Sequence, residues 1–297
     1  MSPHPVVFDR LLLRARRRRA RSLGPVTFLL ERVAADLAER LDAVLREFPV
    51  AVDLGTPTDA VRRALAERKI GTLIAADVLR VQGLAVVADE EALPFRDASL
   101  DLVVSALALQ FVNDLPGTLI QIRRALKPDG LFLAALAGGD TLTELRQSFA
   151  AAEAEIEGGA SPHVAPFADV RELGALLQRA GFALPVTDVD RLTVRYATPF
   201  ALMADLRRMG ATNPLAERRR MPLRRATLAR MAEIYTARFA DADGRIRATF
   251  EIVWLSGWAP HESQQKPLRP GSAQTRLADA LGTREIGTGD KAGRAES

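Results

Sequence analysis

Three aspartates stand at the ends of three short apolar runs, a pattern typical of a crevice that binds a nucleotide-like ligand. Asp53 ends a run that begins at Val50 and is followed by Gly55, while Asp77 and Asp89 end the next two runs. In an open parallel sheet the carboxyl ends of the strands converge on one crevice, so we expect the three carboxylates to lie together. Asp77 follows Gly55 by about 20 residues, the spacing at which an acid meets ribose hydroxyls.

Each of these acids also has a simpler interpretation, as part of a turn or a helix cap at the end of a strand. A ribose is the more specific partner, because one carboxylate accepts from both vicinal hydroxyls with charge-assisted strength. Asp89 and Glu90 would then lie where an adenine amino group is recognised. Three acids in register favour a pocket for a nucleoside-type cofactor, or a descendant of such a pocket.

The loop that follows Gly55 lacks the glycines expected at such a site. Glycine permits positive φ and close backbone approach, whereas Pro57 fixes φ and removes a donor. Residues 56–59 stand where the glycines are expected, and we call this segment the rewritten loop. It predicts a helix start, with Thr56 as the N-cap, Pro57 at the first helical position and Asp59 at the third, in a capping box. This change leaves open whether a cofactor still binds.

The elements that would position the acids alternate between strand and helix. Apolar runs predict strands near 50–54, 73–77, 85–89, 100–109 and 131–136, and helical spacing predicts helices over 27–45, 60–69 and 115–126. Further along we predict helices over 167–180 and 223–239 and strands over 186–196 and 246–258. This alternation is typical of βαβ units, so the fold class is α/β with a parallel sheet.

Composition excludes several classes of protein. The chain has 297 residues, of which 48% are hydrophobic and 26% charged, enough for a large core. The absence of cysteine excludes disulfides, thiolate zinc sites and cysteine nucleophiles. No apolar run approaches the roughly 20 residues that span a bilayer. The polar stretch over 264–297, rich in Gly, Pro and Arg, predicts a disordered tail.

Two clusters of arginine stand out against the modest net charge of +4. The first, Arg10 to Arg21, lies in a basic N-terminal segment over 1–26 and contains no acid. We interpret it as a solvated, poorly ordered terminus or as a contact surface for an acidic protein, a membrane or RNA. The second, Arg207 to Arg225, has no interleaved aromatics, so a solvent-facing or partner-facing surface is favoured over nucleic-acid binding.

The remaining candidates for chemistry are three histidines that stand far apart in the sequence. Of His4, His163 and His261, the last two could line a lid over the active site or serve as capping and packing residues. Two histidines and a carboxylate can bind non-haem iron, but no spacing brings these residues together. We therefore predict no metal site, and no catalytic residue is identified.

The motifs occur in an order that resembles the class I S-adenosylmethionine-dependent methyltransferases. The residues that carry the resemblance are Asp-Leu-Gly at 53–55, Ala-Asp-Glu-Glu-Ala-Leu-Pro-Phe at 88–95, Leu-Asp-Leu-Val-Val-Ser at 100–105 and Leu-Lys-Pro-Asp-Gly at 126–130. Within that superfamily the chain is similar to the mitochondrial complex I assembly factor described as an arginine hydroxylase, and to its bacterial relatives. That similarity rests on Phe-Asp-Arg at 8–10, Gly-Gly-Asp-Thr-Leu at 138–142 and Ser-Pro-His at 161–163.

The resemblance implies a Rossmann-like domain over 27–263, with a mostly parallel seven-stranded sheet, an antiparallel last strand and helices on both faces. A helical cover would lie within about 140–240. Gly55 would face the cofactor, Asp77 its ribose, and Asp89 with Glu90 its adenine. Asp53 and Ser105 complete the predicted cofactor-binding set, since the region from Ser105 to Asn113 would floor the methionine end. Gln110 stands where the branch carries a histidine.

The functions that the resemblance implies share one fold and one cofactor, S-adenosylmethionine. The first is a methyltransferase-like protein that modifies a protein substrate, an arginine of a respiratory complex I subunit. The alternatives are an arginine hydroxylase on the same fold and a non-catalytic assembly factor with a degenerate cofactor loop. We expect no nucleic-acid partner, peripheral membrane contact at most, and a cytoplasmic location, because Phe8-Asp9-Arg10 so near Met1 leaves no room for a typical presequence.

Overall fold

A computed structural model describes residues 6–80, 85–264, 279 and 282. The chain divides into a unit over Met1–His261 and a second over Glu262–Ser297. Almost all of the predicted disordered tail lies outside the described residues, as does His4. The strands of the first unit are β1 (Phe48–Leu54), β2 (Ile70–Asp77), β3 (Ala85–Val87), β4 (Leu100–Ala106), β5 (Leu126–Ala137), β6 (Ala183–Tyr196) and β7 (Ile246–Trp258).

The strands form one seven-stranded sheet in the order β3-β2-β1-β4-β5-β7-β6. β1 pairs in parallel with β2 and β4, and Asp53 lies opposite Ala75 on one side and Val104 on the other. β7 runs antiparallel to both β5 and β6. The prediction of a mostly parallel sheet with an antiparallel last strand is confirmed, because runs of consecutive apolar residues specify strands buried on both faces.

Helices cover both faces of the sheet. Those described are α1 (Arg10–Ser22), α2 (Phe28–Asp42), α3 (Ala60–Ala64), α4 (Leu115–Ala125), α5 (Thr143–Glu157), α6 (Val170–Arg179), α7 (Pro199–Met209) and α8 (Arg225–Phe239). Because successive strand residues point to opposite faces, Ala51 and Leu102 enter the core cluster that contains α2, whereas Val52 and Val103 enter the cluster that contains α4 and α6. None of these helices combines the length and apolar character that crossing a bilayer requires.

Several element bounds differ from the prediction. The helix predicted over 167–180 begins at Val170, because Asp169 and Glu172 form a capping box there. The strand predicted from 131 begins at Leu126, which pairs with Leu100, and the register shifts before Leu131 pairs with Leu102. The stretch predicted as a helical cover contains α5, α6, α7 and α8, with the long strand β6 between α6 and α7.

The described part of the basic N-terminal segment, from residue 6, is ordered, so the interpretation of this segment as a poorly ordered terminus is wrong there. Residues 10–22 form α1, and Asp9 caps its first turn by accepting from the Leu12 amide at 2.9 Å. Part of the second arginine cluster is also paired within the chain, since Arg218 bonds Asp9 and Arg219 bonds Glu157. Much of the arginine charge therefore serves intramolecular contacts.

Candidate functional site

The turn after β1 brings the backbone of Gly55 against a buried carboxylate. Gly55 has φ of +73°, and its amide donates to the Ala76 carbonyl at 2.7 Å. A Cβ at this position would lie 2.8 Å from Glu90 Oε1 and 3.0 Å from the Cβ of Ala108. Both the backbone conformation and the close approach therefore require glycine here.

Asp77 ends β2 beside this turn and is buried, with 3% of its surface exposed. Its Oδ1 accepts from the Leu79 amide at 2.6 Å, and its Oδ2 accepts from Arg17 Nη2 at 2.6 Å. Arg21 also approaches Oδ2, at 3.5 Å. Both oxygens of the acid predicted to bind ribose are thus engaged by groups of the chain itself.

The buried Arg17 side chain lies in the crevice between Gly55, Asp77 and Glu90. Besides Asp77, its Nη2 donates to the Gly55 carbonyl at 2.9 Å, and its Nη1 lies 3.8 Å from Glu90 Oε1. Its side chain is 9% exposed and that of Glu90 is 4% exposed. Such charge-assisted contacts between buried groups are strong when every partner is in place.

A second arginine joins the acids that follow β3. Arg10 Nη2 donates to Asp89 Oδ1 at 2.7 Å and to Glu90 Oε2, and its Nη1 lies 3.2 Å from Glu91 Oε1. Arg14 bonds the other oxygen of Asp89. The acids predicted on the adenine side therefore form ion pairs with α1.

The sequence of α1 explains why these arginines act together. Arg10, Arg14, Arg17 and Arg21 recur at spacings of four and three, which places them on one face of a helix. Arg18 and Arg19 lie outside this face and are exposed. Sequence reasoning missed this set, although the helical spacing and the capping Asp9 before it were available signals.

The segment before α1 is fixed to the same edge of the sheet. Asn113 Oδ1 accepts from the amides of Val7 and Phe8 at 2.9 and 2.8 Å, and the Phe8 ring packs edge-on against Phe111. The pKa of Asp9 lies below its ordinary value, because the Leu12 amide and Arg218 stabilise its carboxylate. The start of α1 thus has a defined position.

Next to the crevice lies a cavity between α1, α7 and the carboxyl ends of the strands. It encloses about 130 Å³, and most of the lining is apolar. Gln110 lines it, with Nε2 donating to the Leu107 carbonyl at 2.9 Å and a buried Oε1 that accepts no hydrogen bond from the described residues. The apolar lining includes Leu13, Leu29, Leu30, Phe111, Phe167, Leu206, Met209, Phe250 and Ile252.

Asp53 and Ser105 lie in the seam of the sheet and do not line this cavity. Asp53 is 1% exposed and accepts from Arg62 Nη1 at 2.9 Å. Burial raises the pKa of Asp53 to about 6, and hydrogen bonds from Thr56 and Arg62 only partly offset that effect. Ser105 is fully buried and donates to the Leu54 carbonyl at 2.7 Å.

The capping box predicted for the rewritten loop is wrong. α3 begins at Ala60 with Asp59 as its N-cap, and the Asp59 side chain makes no capping bond. Thr56 is buried, and its Oγ1 accepts from the Ala106 amide at 3.2 Å, so it joins the loop to β4 instead of starting the helix. The helix start moves because Thr56 is held by tertiary packing, which outweighs its local preference as a cap.

The Ser161-Pro162-His163 motif forms a buried polar contact with α5. His163 Nε2 lies 2.9 Å from Glu153 Oε1 and 3.2 Å from Ser161 Oγ, and the imidazole stacks on Phe149. Because one ring nitrogen meets both partners, this is not the arrangement of a catalytic triad, which needs a separate nitrogen for each. Burial raises the pKa of Glu153, but the His163 and Ser161 hydrogen bonds outweigh it and lower it overall.

The structure therefore brings together four of the six predicted cofactor residues and separates two. Gly55, Asp77, Asp89 and Glu90 meet around the arginines of α1, whereas Asp53 and Ser105 are packed behind them. Within the described ranges no cluster of three or more His, Asp or Glu side chains could hold a metal ion.

Comparison with known proteins defines the class of this fold and site. A family model described as a methyltransferase domain matches residues 50–134. The solved structure of the YcgJ protein from Bacillus subtilis superimposes with a TM-score of 0.52 and covers 76% of this chain and 98% of its own, at 13% identity. At that identity the likeness concerns the fold alone. The domain that holds the crevice is of the methyltransferase type.

Relatives with higher sequence identity show to which family of this methyltransferase-type fold the chain belongs. The protein named arginine-hydroxylase NDUFAF5, mitochondrial, of Danio rerio is 40% identical over 286 residues, covering 92% of this chain and 89% of its own. A malonyl-[acyl-carrier protein] O-methyltransferase of Gallionella capsiferriformans is 34% identical and covers 86% and 92%. The chain belongs to the family of the NDUFAF5 arginine-hydroxylases, and the resemblance seen in its motifs is confirmed.

Proposed function

We propose that this protein uses S-adenosylmethionine to modify a protein substrate, an arginine side chain of a respiratory complex I subunit. The observation that carries the proposal is the convergence of Gly55, Asp77 and Glu90 beside a mostly apolar cavity. This arrangement supplies a glycine turn, a ribose acid and an adenine-side acid, with room beyond them for a substrate side chain. The name of the arginine-hydroxylase relative supports arginine as the target.

In the conformation described, the crevice does not fit the adenosyl group of that cofactor. Both oxygens of Asp77 already accept hydrogen bonds, and the Glu90 carboxylate lies against the open side of Gly55. The rewritten loop adds Pro57, which offers no amide donor. The residues of the chain therefore hold guanidinium groups where ribose hydroxyls would be held.

Calorimetric titration tests the proposal. Binding of S-adenosylmethionine that Asp77→Ala abolishes and Asp97→Ala retains is expected, because Asp97 is an exposed acid remote from the crevice and paired with Arg124. The absence of heat at millimolar cofactor would contradict the proposal.

Mass spectrometry of the modified substrate decides the reaction. A gain of one methyl group on an arginine is expected for the methyltransferase. A gain of one oxygen would instead establish the arginine hydroxylase on this fold. In either case the tryptic peptide that carries the added mass identifies the substrate.

A non-catalytic assembly protein is the second candidate, and one observation favours it. Arg17 fills the crevice and bonds both Asp77 and the Gly55 carbonyl, as expected if the site had become structural. In that case a variant without cofactor binding would still support assembly of complex I in cells.

The proposed location of the enzyme is the cytoplasm, although its named relatives are mitochondrial. Cell fractionation with a marker for each compartment tests this location.

A further inference from the structure

We propose that α1 is a built-in competitor for the nucleoside crevice, so that an adenosyl ligand enters only after α1 withdraws. The inference rests on the proposed function, because the ligand that competes is the proposed cofactor. Its basis is that α1 contributes to the crevice the very contacts that such a ligand would make.

The contacts of Arg17 replace those of a ribose and its neighbours. The guanidinium bonds Asp77 Oδ2 and the Gly55 carbonyl through one nitrogen and faces Glu90 through the other. A carboxylate oxygen can accept more than one hydrogen bond, so the competition is for the space between Asp77 Oδ2 and the Gly55 carbonyl. The buried Arg17 guanidinium occupies that space, and a ribose can enter it only after the guanidinium leaves.

The charges of α1 and of the crevice are matched. The four arginines on the inner face of α1 meet four acids, namely Asp77, Asp89, Glu90 and Glu91. When α1 is seated the crevice is neutral, and when α1 leaves it presents an acidic edge of acceptors to hydroxyl and amino donors. The seated and withdrawn states thus differ directly in their affinity for a nucleoside.

The rewritten loop takes part in seating α1. Arg21 Nη2 donates to the Pro57 carbonyl at 3.4 Å, and its Nη1 donates to the Arg80 carbonyl at 3.1 Å. Pro57 offers no amide donor to a ligand, but its carbonyl accepts from a guanidinium group. The change of the loop and the presence of the arginines are therefore complementary.

Few apolar contacts oppose the withdrawal of α1. Of its side chains only Leu13, Arg17 and Ala20 are buried, and Leu11 is 75% exposed. The outer ion pairs, such as Arg14 with Asp89, are partly exposed and are screened by solvent and salt, whereas the buried pair of Arg17 with Asp77 holds α1 more strongly. Five residues that include Gly24, at φ of +76°, join α1 to α2 and keep the withdrawn helix close to the crevice.

A reversible lock on α1 provides the test, because the natural chain has no cysteine. A Cβ built on Gly210 lies 3.5 Å from the Cβ of Ala20, within the range that a disulfide bridges. The double variant Ala20→Cys/Gly210→Cys would join α1 to the end of α7. Strain from the positive φ of Gly210 is present in both redox states and cancels when they are compared.

The measurement is calorimetric titration with S-adenosylhomocysteine. The oxidised double variant should bind S-adenosylhomocysteine at least about tenfold more weakly than the same protein in its reduced form. The disulfide holds α1 in the crevice and so removes the molecules with α1 withdrawn, which are the ones that bind the ligand. In a separate series, Arg17→Ala should bind about tenfold more tightly than the natural chain. Arg18→Ala, on the exposed face of α1, should leave the affinity unchanged.

The outcomes separate this inference from the proposed function. Equal affinity in the oxidised and reduced states would overturn the competition while leaving the cofactor site standing. No binding by any variant in either state would overturn both the cofactor and the competition. If Arg17→Ala fails to fold, the redox comparison still decides, because it keeps every crevice residue.

Discussion

Asp53→Asn should remove a loss of stability that the natural chain suffers as the pH rises. Asp53 is 1% exposed in the seam between β1 and its neighbours, with Arg62 as its ion-pair partner. Burial raises its pKa from 3.8 to about 6. An asparagine keeps the acceptor for Arg62 and carries no charge, so it isolates the contribution of ionisation.

The sign follows from the protons that each state binds. Between the two pKa values the folded chain holds a proton on Asp53 that the unfolded chain releases, so this group stabilises the fold in acid. The contribution is fully present below the unfolded pKa and is lost as the pH rises through about 6. The whole shift corresponds to about 3 kcal/mol, and about 2 kcal/mol of it falls between about pH 4.5 and pH 7.5.

Urea unfolding of both proteins at these two pH values measures the effect. The free energy of unfolding of the natural chain minus that of Asp53→Asn should fall by about 2 kcal/mol from the lower to the higher pH. Other titrating groups cancel in this difference. Asp97→Asn, at an exposed ion pair, serves as the matched control and should give a nearly constant difference. A constant difference for Asp53→Asn as well would refute the reasoning.

Three further substitutions test the packing around the site. Gly55→Ala should lower the free energy of unfolding by about 1–3 kcal/mol, because it adds a Cβ at positive φ beside Glu90. Thermal unfolding measures this loss, with Gly159→Ala as the control, since a Cβ added at Gly159 has no atom within 4 Å. Arg62→Met should cost about 3 kcal/mol at neutral pH by leaving Asp53 unpaired, and urea unfolding should show the cost shrinking in acid. Glu153→Gln should cost about 2 kcal/mol, because that buried carboxylate accepts from Ser161 and an imidazole; an unchanged midpoint in urea would contradict this.

Local patterns were sufficient for the sheet. The apolar runs around Val52, Ala75 and Val103 specify buried strands whatever their neighbours are, and all three lie in the parallel part of the sheet. The turn at Gly55 was likewise predictable, because a positive φ after a strand selects glycine. These features depend on the chemistry of adjacent residues.

The direction of each side chain was harder to predict. Asp53 was expected in the crevice, yet it lies one residue before the end of β1 and on the same face as Ala51, where Arg62 of α3 meets it. Period-two alternation decides this face, and a shift of one residue reverses it. Thr56 likewise does not act as the predicted N-cap, because its side chain accepts a hydrogen bond from the Ala106 amide of β4.

By itself the sequence determined the α/β sheet, the edge at which Gly55, Asp77 and Glu90 converge, and the amphipathic spacing of the arginines in α1. Only the tertiary structure decided that these two features face each other. Arg17 is 60 positions from Asp77 along the chain, and Arg10 is 79 from Asp89. Helical period and strand alternation fix which face a side chain occupies, but its partner depends on how distant elements pack, and here α1 packs over the edge where its charges are neutralised.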